Sequence, residues 1–360
     1  MTTYYVTIVL VALFCSFAVY YDYKIEQFNS LKQYNHPKMT LVFYILAVSV
    51  LIFVAGFRYY VGADYGNYFN SPENKADVFF DKLLALDEPG YYFICWLVVL
   101  FKGNGAVVIF VCAAITIFLF LRTIYKNTNC LFLSTLLFIF LGCWHGSFNG
   151  VRQYLAAAII FSGIRFIKER KFWKYALVVF IAFLFHSSAL LMIFIYFIAY
   201  NKINLKNITL LVVGSLIILY SFTEVLNFAG FLLKQEFIES DYITRSVNTF
   251  RILVAIAPAV FFLFLYQKRS ITKEQLFWIN MLIINGVMMF ATSNSAYLAR
   301  MGIYTAPFSA IGISELVKGA HSKDKNLITL SIVLAFFVFW WYEVSKANTL
   351  NNFQFVFDRI

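Results

Sequence analysis

Five stretches of the chain set acid, base or phosphate-binding groups beside strongly apolar sequence. "FRYYVGADYGNYF" (57–69) places Arg58 after the run that closes in Val54, Ala55, Gly56 and Phe57. An arginine at the centre of a membrane helix costs about 2.5–3.5 kcal/mol on insertion scales, and less near an end where it can snorkel. Arg58 therefore reads either as an interfacial anchor or as a phosphate ligand. Asp64 and Tyr68 are four residues apart and share a face if that stretch is helical, an arrangement suited to sugar hydroxyls. "EPGYYF" (88–93) puts Glu88 ahead of a proline and a glycine. It reads as a helix-start carboxylate favoured by the dipole, or as a second acidic group of an outer cavity.

"HGSFNGVRQYLAAAII" (145–160) spaces Asn149, Arg152 and Gln153 at i, i+3 and i+4. That spacing predicts a polar wall on one helical turn, and the alanines that follow allow close helix packing. "FLFHSSALL" (183–191) holds His186 among aromatic and aliphatic residues. An ionisable group at a break in a membrane helix is a functional candidate by default, and imidazole exchanges protons near neutral pH. Ser187 and Ser188 could orient it. "SNSAYLARMGIYTAPF" (293–308) adds Arg300 at the start of an apolar run, with Tyr304 at i+4 and Pro307 as a candidate kink. The chain contains no DxD, HExxH, GxSxG or P-loop signature. The five cysteines have no paired spacing, so neither a disulfide framework nor a metal site is expected, and no cofactor is called for.

These groups must be positioned by membrane helices. Of 360 residues, 62% are hydrophobic and 13% charged, and the mean hydropathy is +0.76. Continuous apolar runs separated by short charged loops define an all-α, polytopic membrane protein rather than a barrel. About ten full spans are expected, near 4–20, 40–56, 105–125, 131–147, 150–167, 207–222, 251–266, 275–291, 297–314 and 327–343. The first lacks a basic start and a small-residue cleavage site, and reads as a retained span. Residues 90–101 are too short to cross. Residues 175–200 are interrupted by "FHSS", which predicts re-entrant or broken helices. The whole chain, 1–360, reads as a single transmembrane domain.

The net charge of +11 reflects cytoplasmic basic loops rather than a nucleic-acid surface. Arg165, Lys168, Arg170, Lys171 and Lys174 mark one such loop. Lys24, Lys32 and Lys38 mark another, Arg122 and Lys126 a third, Lys268, Arg269 and Lys273 a fourth, and Lys318, Lys323 and Lys325 a fifth. All can lie on one side only if 175–200 enters and leaves by the same face. Both termini then lie outside, with outer loops near 57–104, 147–151, 223–250 and 292–297. Arg58, Asp64, Glu88, Asn149, Arg152 and Arg300 fall near that outer face, and His186 joins them if the bent pair points outward.

In order along the chain, "FRYYVGADYGNYF", "EPGYYF", "NGVRQYLAAAI", "FLFHSSALL" and "YLARMGIY" resemble the EpsG-type, Wzy-like family of bacterial polysaccharide polymerases. The resemblance implies a multi-pass protein of the bacterial inner membrane. Such an enzyme joins oligosaccharide repeat units carried on undecaprenyl pyrophosphate into O-antigen, capsule or exopolysaccharide at the periplasmic or outer side. It implies metal-independent glycosyl transfer, with a lipid-linked glycan and membrane lipid as ligands and flippase and chain-length-regulator proteins as expected partners. On that reading His186, with Asp64 as second choice, is the base and Arg152 the catalytic cation. Arg58 and Arg300 bind phosphate, and Asn149, Gln153, Tyr68, Glu88 and Tyr304 bind sugar or orient ligands. The rival readings are a lipid-linked oligosaccharide flippase or other transporter, an O-antigen ligase, and a membrane O-acyltransferase.

Overall fold

The computed structural model describes residues 1–26, 38–201, 205–220, 245–266, 270–319 and 325–359. The protein is helical, and its one isolated β-bridge among the described residues pairs Arg58 with Phe355. Six described helices are long and apolar enough to cross a membrane: Thr2–Tyr21, Lys38–Gly56, Gly105–Asn127, Thr249–Tyr266, Lys273–Ala291 and Lys325–Lys346. Several expected spans are built from shorter pieces. The 131–147 region is a ten-residue helix followed by turns. The 150–167 region is interrupted at Gly163. Most of the expected outer loop 223–250, together with Lys32, Lys268, Arg269 and Lys323, lies outside the described residues.

The chain forms two compact units, Met1–Ile193 with Asp324–Ile360, and Phe194–Lys323. In the first, α1 (Thr2–Glu26) pairs with α2 (Lys38–Gly56), and α2 packs on α7 (Gly105–Asn127). The Tyr44 hydroxyl donates to Leu121 O at 3.1 Å, and a Cβ on Gly56 would meet the Phe110 ring at 2.6 Å. The two helices therefore run antiparallel, with their close approach set at the Gly56 end.

Short helices α3 (Tyr65–Phe69), α4 (Pro72–Asp77) and α5 (Phe79–Ala85) follow α2 and lead to α6 (Pro89–Leu100). At 1.5 Å per residue α6 is about 18 Å long, too short to span. It turns back on α7 through Asn104, whose side chain caps α7 by accepting from Ala106 N and Val107 N. Ile94, Cys95 and Val98 of α6 pack with Val108, Ile109 and Cys112 of α7 and with Val151 and Leu155 of α9 (Val151–Ser162). Between α7 and α9 lies α8 (Leu131–Phe140).

After α10 (Ile164–Lys168), α11 (Phe172–Phe183) stops short of His186 and a 3₁₀ stretch, Ser187–Phe194, follows. The Tyr175 hydroxyl donates to Met192 O at 2.9 Å. Tyr175 is on the first turn of α11, so the chain after His186 folds back alongside the helix that precedes it. The bend at "FHSS" read from the apolar lengths is present.

The second unit holds α12 (Ile195–Ile198), α13 (Leu205–Tyr220), α14 (Thr249–Tyr266), α15 (Lys273–Ala291) and α16 (Gly302–Gly319), with α13, α14 and α16 packed on α15. Thr272 and Gln275 form a capping box at the start of α15. The buried Asn285 accepts from the Thr305 hydroxyl at 2.7 Å, joining α15 to α16. The long helix α17 (Lys325–Lys346) and the short α18 (Asn348–Asn351) return to the first unit. There the tail lies along the loop after α2: Tyr59 N donates to Gln354 O, Val356 N to Phe57 O and Gly62 N to Thr349 O.

Candidate functional site

Glu88 precedes Pro89, the first residue of α6, and takes a left-handed backbone at φ +50°. That conformation is uncommon for a side-chain-bearing residue and marks a held geometry. Its carboxylate is 10% exposed and joins three chain segments. Oε1 is 2.6 Å from His186 Nδ1 and accepts from Ser187 N at 2.9 Å. Oε2 is 2.7 Å from Arg152 Nη1. Gly90 makes the docking possible. Its N–H donates to Leu184 O at 2.7 Å, and a Cβ there would meet the Phe185 ring at 2.8 Å. Burial raises the Glu88 carboxyl pKa, but the His186 hydrogen bond and the charges of His186 and Arg152, with the Ser187 N–H, outweigh it. The carboxyl is held below the ordinary glutamate range.

His186 therefore presents Nδ1 to a buried carboxylate and carries Nε2 on the opposite edge of a ring that is 27% exposed. This is the arrangement in which a carboxylate fixes an imidazole and stabilises its protonated form. Arg152, in the first turn of α9, is 36% exposed. Its guanidinium lies 5.8 Å from the Tyr91 ring centroid and hydrogen-bonds the Tyr68 hydroxyl. Two lysines stand on the short helices α4 and α5 that precede Glu88. Lys75 donates to the carbonyls of Asn67 and Asn70 at 2.6 and 2.5 Å, and Lys82 pairs with Asp87 over the Tyr92 ring. The result is a small acid–base pair beside a partly exposed arginine with Tyr68 and Tyr91 against it.

Other expected site residues take different positions. Arg58 is 1% exposed, which removes it from contact with a phosphate in this structure. Its donors go to backbone carbonyls: Nε to Val61 O at 3.2 Å, Nη1 to Ala55 O, and Nη2 to Phe148 O at 3.4 Å. Its charge also lies over the Phe148 ring, 4.8 Å from the centroid. Asn149 does not share a helical turn with Arg152 and Gln153, because α9 begins only at Val151. Instead its Oδ1 accepts from Ala63 N at 2.6 Å. Beside it, Gly62 has φ +107°, and a Cβ would lie 2.5 Å from Phe148 O, so only glycine fits. Arg58, Gly62 and Asn149 thus tie the loop after α2 to the turn that leads into α9.

Gln153 is buried. Asp64 stands at the start of α3, partly exposed, with Tyr68 one turn on and buried. Arg300 and Tyr304 belong to the second unit. Arg300 lies in a 3₁₀ turn before α16 and Tyr304 is fully buried within α16, so they do not share one continuous helical face. Among the described residues no cluster of His, Cys, Asp and Glu could hold a metal ion.

Sequence reasoning singled out Glu88, His186 and Arg152 separately, and missed that one carboxylate joins all three. Lys75 and Lys82 were also missed, because a lysine on a short helix has no local signal of what it faces.

No curated protein and no solved structure matches the chain. The model of the EpsG family matches residues 41–357, a stretch that contains every segment of the Glu88–His186–Arg152 cluster. The chain belongs to the EpsG family.

Proposed function

We propose that the protein is a membrane polysaccharide polymerase that transfers a glycan from a polyprenyl diphosphate carrier to a hydroxyl of another lipid-linked unit. The carrying observation is the Glu88 carboxylate bonded at once to His186 and Arg152. His186 Nε2 takes the proton of the acceptor hydroxyl, whose oxygen attacks the anomeric carbon of the donor. The bond from that carbon to the carrier's phosphate oxygen breaks, and the diphosphate leaves on the polyprenyl chain. Glu88 stabilises the imidazolium formed. The exposed edge of Arg152 offsets the charge of the leaving diphosphate.

The family supports a polysaccharide-synthesis role in a membrane. The outer face is favoured by charge: α9 starts at the cluster and ends at Gly163, just before Arg165, Lys168, Arg170 and Lys171. The test is the glycolipid profile of cells carrying His186→Ala as the sole copy. Polymerase function predicts carrier bearing single repeat units and no long chains. Long polymer in normal amount would refute it. Polymer that forms but is not joined to its final lipid acceptor would indicate a ligase.

A further inference from the structure

α5 precedes Glu88 by two residues and is unusual for a segment outside the spans. Leu84 is 85% exposed, Phe80 58%, Leu86 50% and Leu83 43%. Phe80, Leu83 and Leu84 share one side of the helix, with Leu86 just beyond its end, while Asp81 and Lys82 lie off that side. Facing water, four such side chains would form a costly patch. The helix is not loosely held. Phe79 is buried against Phe93 and Trp96 of α6, with ring centroids 5.5 and 5.8 Å away, and Lys82 is fixed by Asp87 and the Tyr92 ring. The bare face is therefore a rigid surface of the first unit. Its polar side carries Lys82, whose ammonium pairs with Asp87, the residue next to Glu88 in the chain.

A charged head site and a fixed apolar face a few residues apart match a ligand with a diphosphate head and a long hydrocarbon tail. We propose that the face made by Phe80, Leu83, Leu84 and Leu86 seats the isoprenoid tail of the lipid-linked donor, an assignment that rests on the polymerase reading above. The face then sets the head group's approach to Arg152 and His186, and it selects donors by tail length.

The test compares Phe80→Ser/Leu84→Ser with wild type in lipid nanodiscs. The two donors carry the same glycan diphosphate, one on the full undecaprenyl tail and one on a short tail that cannot reach α5. The expected result is a fall in kcat/KM of about tenfold or more with the long-tailed donor, and a change under twofold with the short-tailed one. An unchanged rate with both would show that α5 touches only bulk lipid, and would overturn the assignment. An equal fall with both would assign α5 to positioning rather than to tail binding, with the same consequence. A wild-type protein that polymerises neither donor would instead sink the polymerase reading, and the tail seat with it.

Discussion

The Glu88 carboxylate is the point at which residue chemistry is decided. It accepts from Ser187 N, pairs with Arg152 and orients His186. Glu88→Gln keeps the shape but removes the charge that stabilises an imidazolium. Polymerisation is expected to fall by about 100- to 10,000-fold with the protein still inserted, measured as chain length from purified protein.

The same contacts set an acid limit on stability. Because the carboxyl lies below the ordinary glutamate value of 4.5, its stabilisation is complete above that value and is lost as pH falls through the lowered one. Arg152 and the imidazole of His186 are the groups that face it. The thermal midpoint of the wild type should drop on acidification below about 4.5, and Glu88→Gln should flatten that drop. Arg58 behaves differently. Its guanidinium serves three carbonyls in fixed directions, which an ammonium cannot copy. Arg58→Lys should cost on the order of 2 kcal/mol in unfolding, with KM for the donor unchanged in the folded fraction. A raised KM with full stability would make Arg58 a substrate ligand after all.

At the scale of elements, the site depends on two close approaches. Gly90 brings the start of α6 against the Leu184–Phe185 turn, and Gly62 brings the loop after α2 against Phe148. Gly62→Ala meets a backbone oxygen and a positive φ, so it is expected to destabilise by about 1–3 kcal/mol and to lower activity by shifting the turn before Arg152. An unfolding curve that matches wild type would contradict this.

The elements were partly legible beforehand. The brevity of 90–101 followed from its apolar length, and the break at 185–188 from the polar "FHSS" and the placement of the basic loops. The interruptions within 131–167 did not, because Gly142 at φ +83° and Gly163 break the helices inside sequence that stays apolar. Nor did the Glu88–His186 pair, whose members are 98 positions apart and meet only through α6 docking on the bend.

For the molecule as a whole, the proposed outward orientation rests on the cluster and the densest basic segment sitting at opposite ends of α9, with the positive-inside rule assigning the basic end. Single cysteines introduced into a cysteine-free background should be labelled from outside at Asn74 and from inside at Lys171, both exposed positions. The reverse pattern would put the acid–base pair on the cytoplasmic side and remove the polymerase account. The most direct measurement is the product ladder formed from a lipid-linked repeat unit by purified protein in liposomes. Wild type should extend the unit into a series of longer chains, while His186→Ala and Arg152→Ala, equally folded, leave it unextended. Ladders of normal length from both variants would contradict the assignment of this site.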